Sequence, residues 1–455
     1  MEYTTDIAQG AEAHGGQDAH LGVIPERVLR QALRDSRPSG WLQFASGRLS
    51  QNESLRNFET IVSLLQSAHG GLSQLHQLLG IATDLVNEAW LNGTREAPPP
   101  GDLEREVQMR LSQMEEIVRQ CRFHGRGLLD GQSGVVGVAH GLEFIRGGPN
   151  TRSSPPEGYA VHVAQAPTRA TLQGGVPLDP AWLKDEEEIF IAEGEHFVRY
   201  PVSEVDTVET LAGHLNMAVR AAGMDLEVRL TPQRHLVVRH NQHGSQYKFK
   251  GASKTTPLLS KRPGKVEWSR RGRDIQGTIG GEPAFGIGRM LIGYLDNQNT
   301  SELAVLWRGA RNGSGLAGRC HVRQNGLNIQ EDTEGEGPAT RLALPSFRIA
   351  QLGNWMETPS GYGALAGVRF DTWQGLRDAL HMMFAVSLEL DDWLDKVRGW
   401  IKRYQNQTLT FLRHGGKRAA RSAGMARPVE VTTDQAERMA LELRDFMRKG
   451  MVTLR

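Results

Sequence analysis

The clearest pattern in the chain is a stripe of apolar side chains between positions 58 and 89, spaced by alternating steps of three and four residues. Its members are Phe58, Ile61, Leu65, Ala68, Leu72, Leu75, Leu79, Ala82, Val86 and Ala89. Such steps keep side chains on one side of an α-helix over several heptads. A helix of this length spans about 50 Å at its usual rise per residue. We therefore predict that it packs lengthwise against another helix.

A second helical pattern follows after a short connection. Asn92-Gly93-Thr94 is typical of a helix end, prolines occupy positions 98–100, and Asp102 can cap the next helix. The apolar stripe of this second helix consists of Val107, Leu111, Met114, Val118 and Cys121. Because the connection is short, the two helices are predicted to form an antiparallel hairpin.

The same period returns towards the other end of the chain, between positions 376 and 404. This stripe consists of Leu376, Ala379, Met383, Val386, Leu390, Trp393, Val397, Trp400 and Tyr404. Stripes with one period are natural partners, so both chain ends are predicted to build one long antiparallel rod, a coiled-coil-like bundle. A last amphipathic helix is predicted at 434–451.

Between these helical ends the pattern changes to short apolar or alternating runs that are typical of β-strands. Such runs start at Tyr159, Glu188, Phe197, Leu226 and Leu236, and a short helix is predicted at 207–222. A second, glycine-rich β region extends over 265–344. The predicted fold class is therefore α+β, with β-rich domains inserted into a helical rod.

These patterns divide the chain into six predicted segments. They are a flexible N-terminal segment with a short helix (1–56), an N-terminal rod hairpin (57–148), an inserted α+β domain (149–262), a second β-rich domain (263–345), a C-terminal rod helix (346–415), and a basic linker with a terminal helix (416–455).

Composition adds few constraints on function. The chain has 455 residues and a formal net charge of +1, so no global field indicates a nucleic-acid or membrane partner. No apolar run is long enough to span a bilayer, and the N-terminus lacks the features of a cleaved secretory signal. Cys121 and Cys320 are too few for a disulfide framework, and both are predicted to be buried free thiols.

Motifs that carry chemistry are weak throughout the sequence. No phosphate-binding loop and no His-Glu-x-x-His zinc motif occurs. His235, His240 and His243 are interpreted as part of a solvated turn, and the acidic run at 185–188 as a solvated loop. The basic residues between 261 and 273 enclose one aromatic side chain, Trp268, which argues against nucleic-acid binding. We predict no enzymatic activity, no catalytic residue, no metal site and no cofactor.

The segment 123–131 gives information about the protein family that the helical periodicity does not give. Its residues are Phe123, Gly125, Leu128, Leu129, Asp130 and Gly131. This segment closely resembles the Phe-Asn-Gly-x-x-Leu-Leu-Asp-Gly signature of bacterial flagellins, and the whole stretch 57–131 is colinear with that family. The segments 158–170 and 272–293 resemble inserts of some flagellins and hook-associated proteins. Arg398, Gln405, Thr408 and Leu409 match the C-terminal rod helix of the family.

The resemblance implies a structural subunit of the bacterial flagellar filament that packs through its helical rods and exposes its β domains. It further implies secretion to an extracellular place in the flagellum through the flagellar export apparatus, with a chaperone, and a part in motility. The implied partners are other flagellin-like subunits or hook-associated proteins. No nucleic acid and no membrane insertion is expected.

Departures from the family pattern keep two alternatives open. The terminal coils look shortened, Ala45-Ser46-Gly47 only weakly matches the family's N-terminal motif, and nine tryptophans are unusual for flagellins. A hook–filament junction or cap-like protein is one alternative, because similar β inserts occur there. A secreted paralogue that does not polymerise and acts as an adhesin or binding module is the other, because its terminal coils look eroded.

Overall fold

A computed structural model of the chain describes residues 51–93, 101–182, 186–203, 205–309, 314–330 and 340–414. Within these ranges the fold is mixed α+β, with four α-helices and five antiparallel sheets. The predicted α+β class is therefore confirmed. A rod formed by both chain ends is not shown, because the predicted terminal helix at 434–451 and most of the predicted segment 1–56 lie outside the described residues.

Three of the helices form a bundle with one common core. Helix α1 spans Gln51–Asn92, α2 spans Gly101–Gln120, and a later helix, α4, spans Trp373–His414. With 42 residues each, α1 and α4 extend for about 60 Å. Two small hairpins flank this bundle, β1 (Arg122–Phe123) with β2 (Arg126–Gly127), and β18 (Leu327–Ile329) with β19 (Thr340–Leu342).

An eight-stranded antiparallel sheet follows the helical hairpin. Its strands are β3 (Val135–His140), β4 (Glu143–Arg146), β5 (Tyr159–Gln165), β13 (Gln276–Ile279), β14 (Glu282–Ile287), β15 (Met290–Gly293), β16 (Ala304–Leu306) and β17 (Gly315–Gln324). The order is β3-β17-β5-β13-β14-β15-β16-β4. Its two edge strands are consecutive in sequence, and the Phe144 ring on β4 lies against Gly137 on β3. The sheet therefore curls until its edges approach each other.

A separate unit is inserted between β5 and β13. It contains β6 (Arg169–Pro177), β7 (Glu188–Glu193), β8 (His196–Pro201), helix α3 (Leu211–Ala221), β9 (Leu226–Leu230), β10 (His235–His243), β11 (Lys250–Ser253) and β12 (Glu267–Trp268). They form the sheets β6-β10-β9 and β12-β11-β7-β8 around their own core. The chain enters and leaves this inserted unit at adjacent points, because the Thr168 and Arg273 backbones exchange hydrogen bonds of 2.9 and 3.1 Å.

Strand pairing divides the chain differently from the predicted segments. Strands β3 and β4 fall in the predicted rod hairpin (57–148) and β5 in the predicted α+β domain (149–262), yet all three belong to the eight-stranded sheet. Strand β12 falls in the predicted second domain (263–345) but pairs within the inserted unit. An alternating pattern identifies a strand, whereas its neighbours depend on hydrogen bonds to segments far away in sequence.

The two cysteines are free thiols in different surroundings. Cys320 is buried in the eight-stranded sheet, and burial raises the pKa of its thiol to about 12. Cys121 is only half-buried, which differs from the prediction, because α2 ends at Gln120 and the thiol lies beside the Ser67 carbonyl of α1 at 3.6 Å. Among the described residues, no helix is long and apolar enough to cross a bilayer.

Candidate functional site

The predicted stripe on α1 lies inside the core that α1 shares with α2 and α4. Phe58, Ile61, Leu65, Ala68, Leu72, Leu75, Leu79, Ala82 and Val86 are buried there, and Ala89 packs against them half-buried. Leu376, Met383, Leu390 and Val397 of α4 lie in the same core. The sequence-predicted packing residues are thus brought together in one continuous apolar interface.

The two long helices run antiparallel. At one end the rings of Phe58 and Tyr404 lie 6.3 Å apart, and at the other end Trp90 meets Trp373 edge-on at 6.3 Å. Between them, His76 Nε2 lies 3.0 Å from Ser387 Oγ and 3.3 Å from Asp391 Oδ1. Contacts at both ends and near the middle fix a single register.

Helix α1 lies close to the end of α2 at Gly71. A Cβ placed on Gly71 would lie 2.8 Å from Leu129 Cδ1 and 2.9 Å from Cys121 Sγ, closer than ordinary van der Waals contact. Gly70 and Gly80 have nothing within 4 Å of the corresponding position. A side chain at position 71 would therefore displace Leu129 and Cys121, whereas positions 70 and 80 have room for one.

The signature segment 123–131 forms a tight turn directly after helix α2. Gly125 and Gly131 have φ angles of 80° and 87°, which side chains other than glycine rarely adopt. Leu128 and Leu129 are fully buried in the bundle core, and the ring of Phe123 packs against it. Asp130 Oδ1 accepts a hydrogen bond of 3.0 Å from the Gln132 amide, which closes the turn.

The same turn binds the segment that leads into α4. The Phe347 amide donates to the Leu129 carbonyl at 2.8 Å, and Asp130 forms an isolated β-bridge with Ser346. Phe347 then meets Trp393 of α4 edge-on at 5.8 Å, and Trp393 meets Trp400 at 6.2 Å. The signature residues therefore connect the N-terminal hairpin to the C-terminal helix.

Arg126 is a buried polar residue of this turn that the sequence analysis missed. Its buried guanidinium donates to Ser133 Oγ at 3.0 Å, to the Gln132 carbonyl at 3.0 Å and to the Asn325 carbonyl. Burial lowers the pKa of Arg126 from its ordinary value. Arg126 stands at a variable position of the family signature, so neither the resemblance nor any periodicity indicated it.

A cleft opens where the inserted unit, the eight-stranded sheet and the approach to α4 meet. Glu357 lies in it and accepts hydrogen bonds from His243 Nδ1 at 2.9 Å and from Arg289 Nη1 at 3.0 Å. Burial acts to raise the pKa of Glu357, but the hydrogen bonds and charges of His243 and Arg289 lower it to about 2. The Glu357 carboxylate thus links the segment before α4 to the inserted unit and to the eight-stranded sheet.

Two further ionisable groups line the cleft from α4. Burial raises the pKa of Asp378, which accepts a hydrogen bond of 2.7 Å from the Ser360 amide. Burial and the neighbouring Arg377 lower the pKa of His381 to about 4. Burial and Arg377 thus favour the neutral form of the His381 imidazole, against the opposing effect of the Asp225 charge.

The histidine trio does not form the predicted solvated turn. His240 is buried, stacks on Tyr247 at 4.2 Å and pairs with Glu193 at 2.8 Å. His235 instead meets the Gly174 carbonyl at 3.1 Å. All three lie on β10, where alternate residues point to opposite faces, so His240 is directed inward. Within the described ranges, no group of three or more potential ligands could hold a metal ion.

The acidic run at 185–188 also differs from its interpretation as a solvated loop. Asp185 lies outside the described residues, but Glu187 is buried. Its carboxylate accepts hydrogen bonds of 2.7 Å from the amides of Lys254 and Thr256. Glu187 thereby closes the loop after β11, a role that depends on a contact distant in sequence.

No protein-family model matches the chain. No curated protein matches it either. Solved structures to which it is similar include the D1-D2-D3 domains of the flagellar cap protein FliD from Escherichia coli, with a TM-score of 0.28, 10% identity, and coverage of 78% of this chain and 76% of that chain. The D2-D3 domains alone also give a TM-score of 0.28, with 12% identity over 42% of this chain and 99% of that chain.

Flagellar hook-associated protein-3 from Legionella pneumophila is a further similar structure. Its TM-score is 0.21 at 11% identity, over 85% of this chain and 98% of that chain. At such identities and TM-scores, these similarities identify neither a shared fold nor a shared function.

Proposed function

We propose that this protein is a structural subunit of the bacterial flagellum, of the hook-associated or cap class. In this proposal it packs through α1, α2 and α4 and carries its β units outward. One observation supports it most directly. The residues that resemble the flagellin signature are those that close the helical bundle, with Leu128 and Leu129 buried in its core and Leu129 bonded to Phe347. The resemblance therefore concerns residues that build the bundle.

Two features distinguish the chain from flagellins and favour the hook-associated or cap class. Two β units with separate apolar cores occupy most of residues 135–324, and hook-associated proteins carry similar inserts according to the resemblance. Trp90, Trp373, Trp393 and Trp400 pack along the bundle, whereas flagellins rarely contain tryptophan. A flagellin-like filament subunit is the second candidate, and the signature segment itself favours it.

Electron microscopy of flagella with gold-labelled antibody against this protein tests the class. A hook-associated or cap subunit is expected at the hook–filament junction or at the distal tip. Label along the whole filament would instead identify a filament subunit. Flagella without any label, from cells that contain the protein, would contradict both forms of the proposal.

We also propose that the role is structural and not catalytic. The buried Arg126 and Glu187 and the half-buried Glu357 each form several hydrogen bonds within the chain, so their polar groups stabilise the fold. Incubation of the purified protein with casein, with and without zinc, is expected to give no cleavage. Metal-dependent cleavage that a chelator abolishes would contradict this part.

An extracellular location belongs to the same proposal. We expect export through the flagellar export apparatus, with chaperone assistance. The protein should appear in the culture medium of wild-type cells. Equal secretion by a strain that lacks a working flagellar export apparatus would contradict this route.

A further inference from the structure

The four-stranded sheet of the inserted unit has one face that carries the exposed side chains of Trp268 and Phe197. Its other face carries Ile189, Ile191 and Phe249 into the core of the unit. Because neighbouring residues on a strand point to opposite faces, Lys250, Ala192 and Phe197 lie together on the outward face. We call this face, on strands β12, β11, β7 and β8, the outward sheet face.

The registered pairs place an ordered row of side chains across the outward sheet face. Trp268 pairs with Lys250, Lys250 with Ala192, and Ala192 with Phe197. Three strand spacings separate the two aromatic residues, or about 14 Å. Trp268 and Phe197 are 59% and 62% exposed, which is unusual for large apolar side chains away from an interface. Ala192 lies between them and is buried.

Basic side chains lie over two aromatic rings of this face, those of Trp268 and Phe190. Lys248 Nζ is 5.0 Å and Lys250 Nζ 5.9 Å from the centre of the Trp268 ring, and Arg199 Cζ is 6.0 Å from that of Phe190. Phe190 pairs with Arg199 in the next row of the same face. Contact with an aromatic ring holds each flexible basic side chain along the sheet instead of leaving it free in solvent.

Positive charge is concentrated at the β11–β12 side of this face, whereas at the β7–β8 side Glu188 Oε1 lies 3.8 Å from Arg199 Nη1. Residues 248–273 contain nine lysines and arginines against one acidic residue, Glu267, although the whole chain has a net charge of only +1. Those in the outer turns, such as Lys261, Lys265 and Arg271, are exposed. Within the described part of the chain, none of the nine forms an ion pair with a carboxylate. Their charges are therefore available to an external anion.

We propose that the outward sheet face binds an acidic polysaccharide, a chain of sugars that carries carboxylate or sulfate groups. Acidic groups would pair with Lys248, Lys250 and the basic turns. The C–H faces of the sugar rings would pack on Trp268 and Phe197, whose ring faces carry partial negative charge. The row from Trp268 to Phe197 extends over four strands, so a linear chain of sugars can lie along it.

The arrangement favours a polysaccharide over single-stranded nucleic acid. Successive bases bind such surfaces by stacking on aromatic side chains that follow one another closely. Trp268 and Phe197 are instead three strand spacings apart, about 14 Å, which does not suit consecutive bases. A folded protein partner usually anchors a large side chain in a pocket, whereas this face directs its own large side chains, Trp268 and Phe197, outward.

Titration calorimetry with the full-length protein tests this proposal. The probes are polygalacturonate for carboxylates, heparin for sulfates, neutral dextran and oligothymidylate. Binding is expected for one or both acidic polysaccharides, weakening as salt screens the charges, and not for dextran. Absence of binding to both polyanionic sugars would overturn the proposal. Equal or tighter binding of oligothymidylate would overturn it in favour of nucleic acid.

Matched variants locate the site. The double variant Lys248→Glu, Lys250→Glu should weaken binding by about tenfold or more, because two attractions become repulsions. Trp268→Ala with Phe197→Ala should weaken it without altering charge. Arg56→Glu with Lys402→Glu changes the net charge as much as the lysine pair does, at exposed positions on the bundle. Equal losses in this control would contradict a local site, and thermal melting checks that every variant is folded.

Discussion

Arg126 shows how much a single buried side chain contributes to the signature turn. Three acceptors converge on its guanidinium, and two of them are backbone carbonyls from separate parts of the chain, Gln132 and Asn325. The planar fork of arginine suits such divergent acceptors better than a lysine ammonium does. Arg126 thus positions the turn relative to the strand that leads towards the second hairpin.

Replacement of this residue should be costly. Arg126→Met leaves buried carbonyls without donors, so we expect the free energy of unfolding to fall by about 2 kcal/mol. Arg126→Lys should recover only part of the loss. Chemical denaturation measures both. Arg105→Met, at a highly exposed position of α2, serves as control and should stay within about 0.5 kcal/mol of wild type. Equal stability of both methionine variants would contradict the role of Arg126.

At the scale of the element, helix α1 has one face that must be apolar and another face that tolerates polar residues. Leu75 is fully buried in the bundle, while Ile81 on the same helix is 38% exposed. Leu75→Asp should therefore cost several kcal/mol and lower the melting temperature strongly, because the carboxylate would be buried without a partner. Ile81→Asp should have a small effect. Similar melting temperatures for the two variants, followed by circular dichroism, would show that the buried stripe is not a packing interface.

The glycines of α1 provide an independent test of close packing. Gly70→Ala should stabilise the helix by up to about 1 kcal/mol, because alanine favours helix and nothing obstructs its Cβ. Gly71→Ala gains the same propensity but forces Leu129 and Cys121 to move, so it should be less stable than Gly70→Ala and near or below wild type. Melting curves of both variants decide the order. A Gly71→Ala variant as stable as Gly70→Ala would contradict close packing there.

The sequence predicted helices better than it predicted how strands assemble. The stripe from Phe58 to Val86 reflects a local period, and these residues are buried as a set. The strand starting at Tyr159 is also present, but its partners β13 and β17 follow only after the whole inserted unit. The burial of His240 and Glu187 likewise depends on contacts distant in sequence, so local composition wrongly indicated exposed loops.

For the whole molecule, Glu357 is the residue through which separate parts are linked. Its carboxylate, on the segment before α4, meets His243 of the inserted unit and Arg289 of the eight-stranded sheet. Loss of this charge should weaken the association of all three parts. The inserted unit and the bundle would then move more independently.

The pKa of Glu357 gives this link a defined pH dependence. The pKa is about 2 in the folded protein and 4.5 without interactions, so the folded state favours the charged form. Its stabilisation is complete above about pH 4.5 and is lost as pH falls towards 2; it amounts to about 3 kcal/mol. Glu357→Gln should therefore be less stable than wild type at pH 7, with a difference that shrinks on acidification. A difference that is constant between pH 7 and 3 would contradict the link.

The hydrogen-bonded neighbours Thr168 and Arg273 make the inserted unit separable at the level of the gene. One contiguous stretch of codons, those for residues 169–272, specifies a unit whose two ends already meet. Recombination could remove or exchange that stretch without opening a gap in the sheet beneath it. The basic, aromatic surface displayed there and the helices of the bundle are therefore free to diverge at different rates.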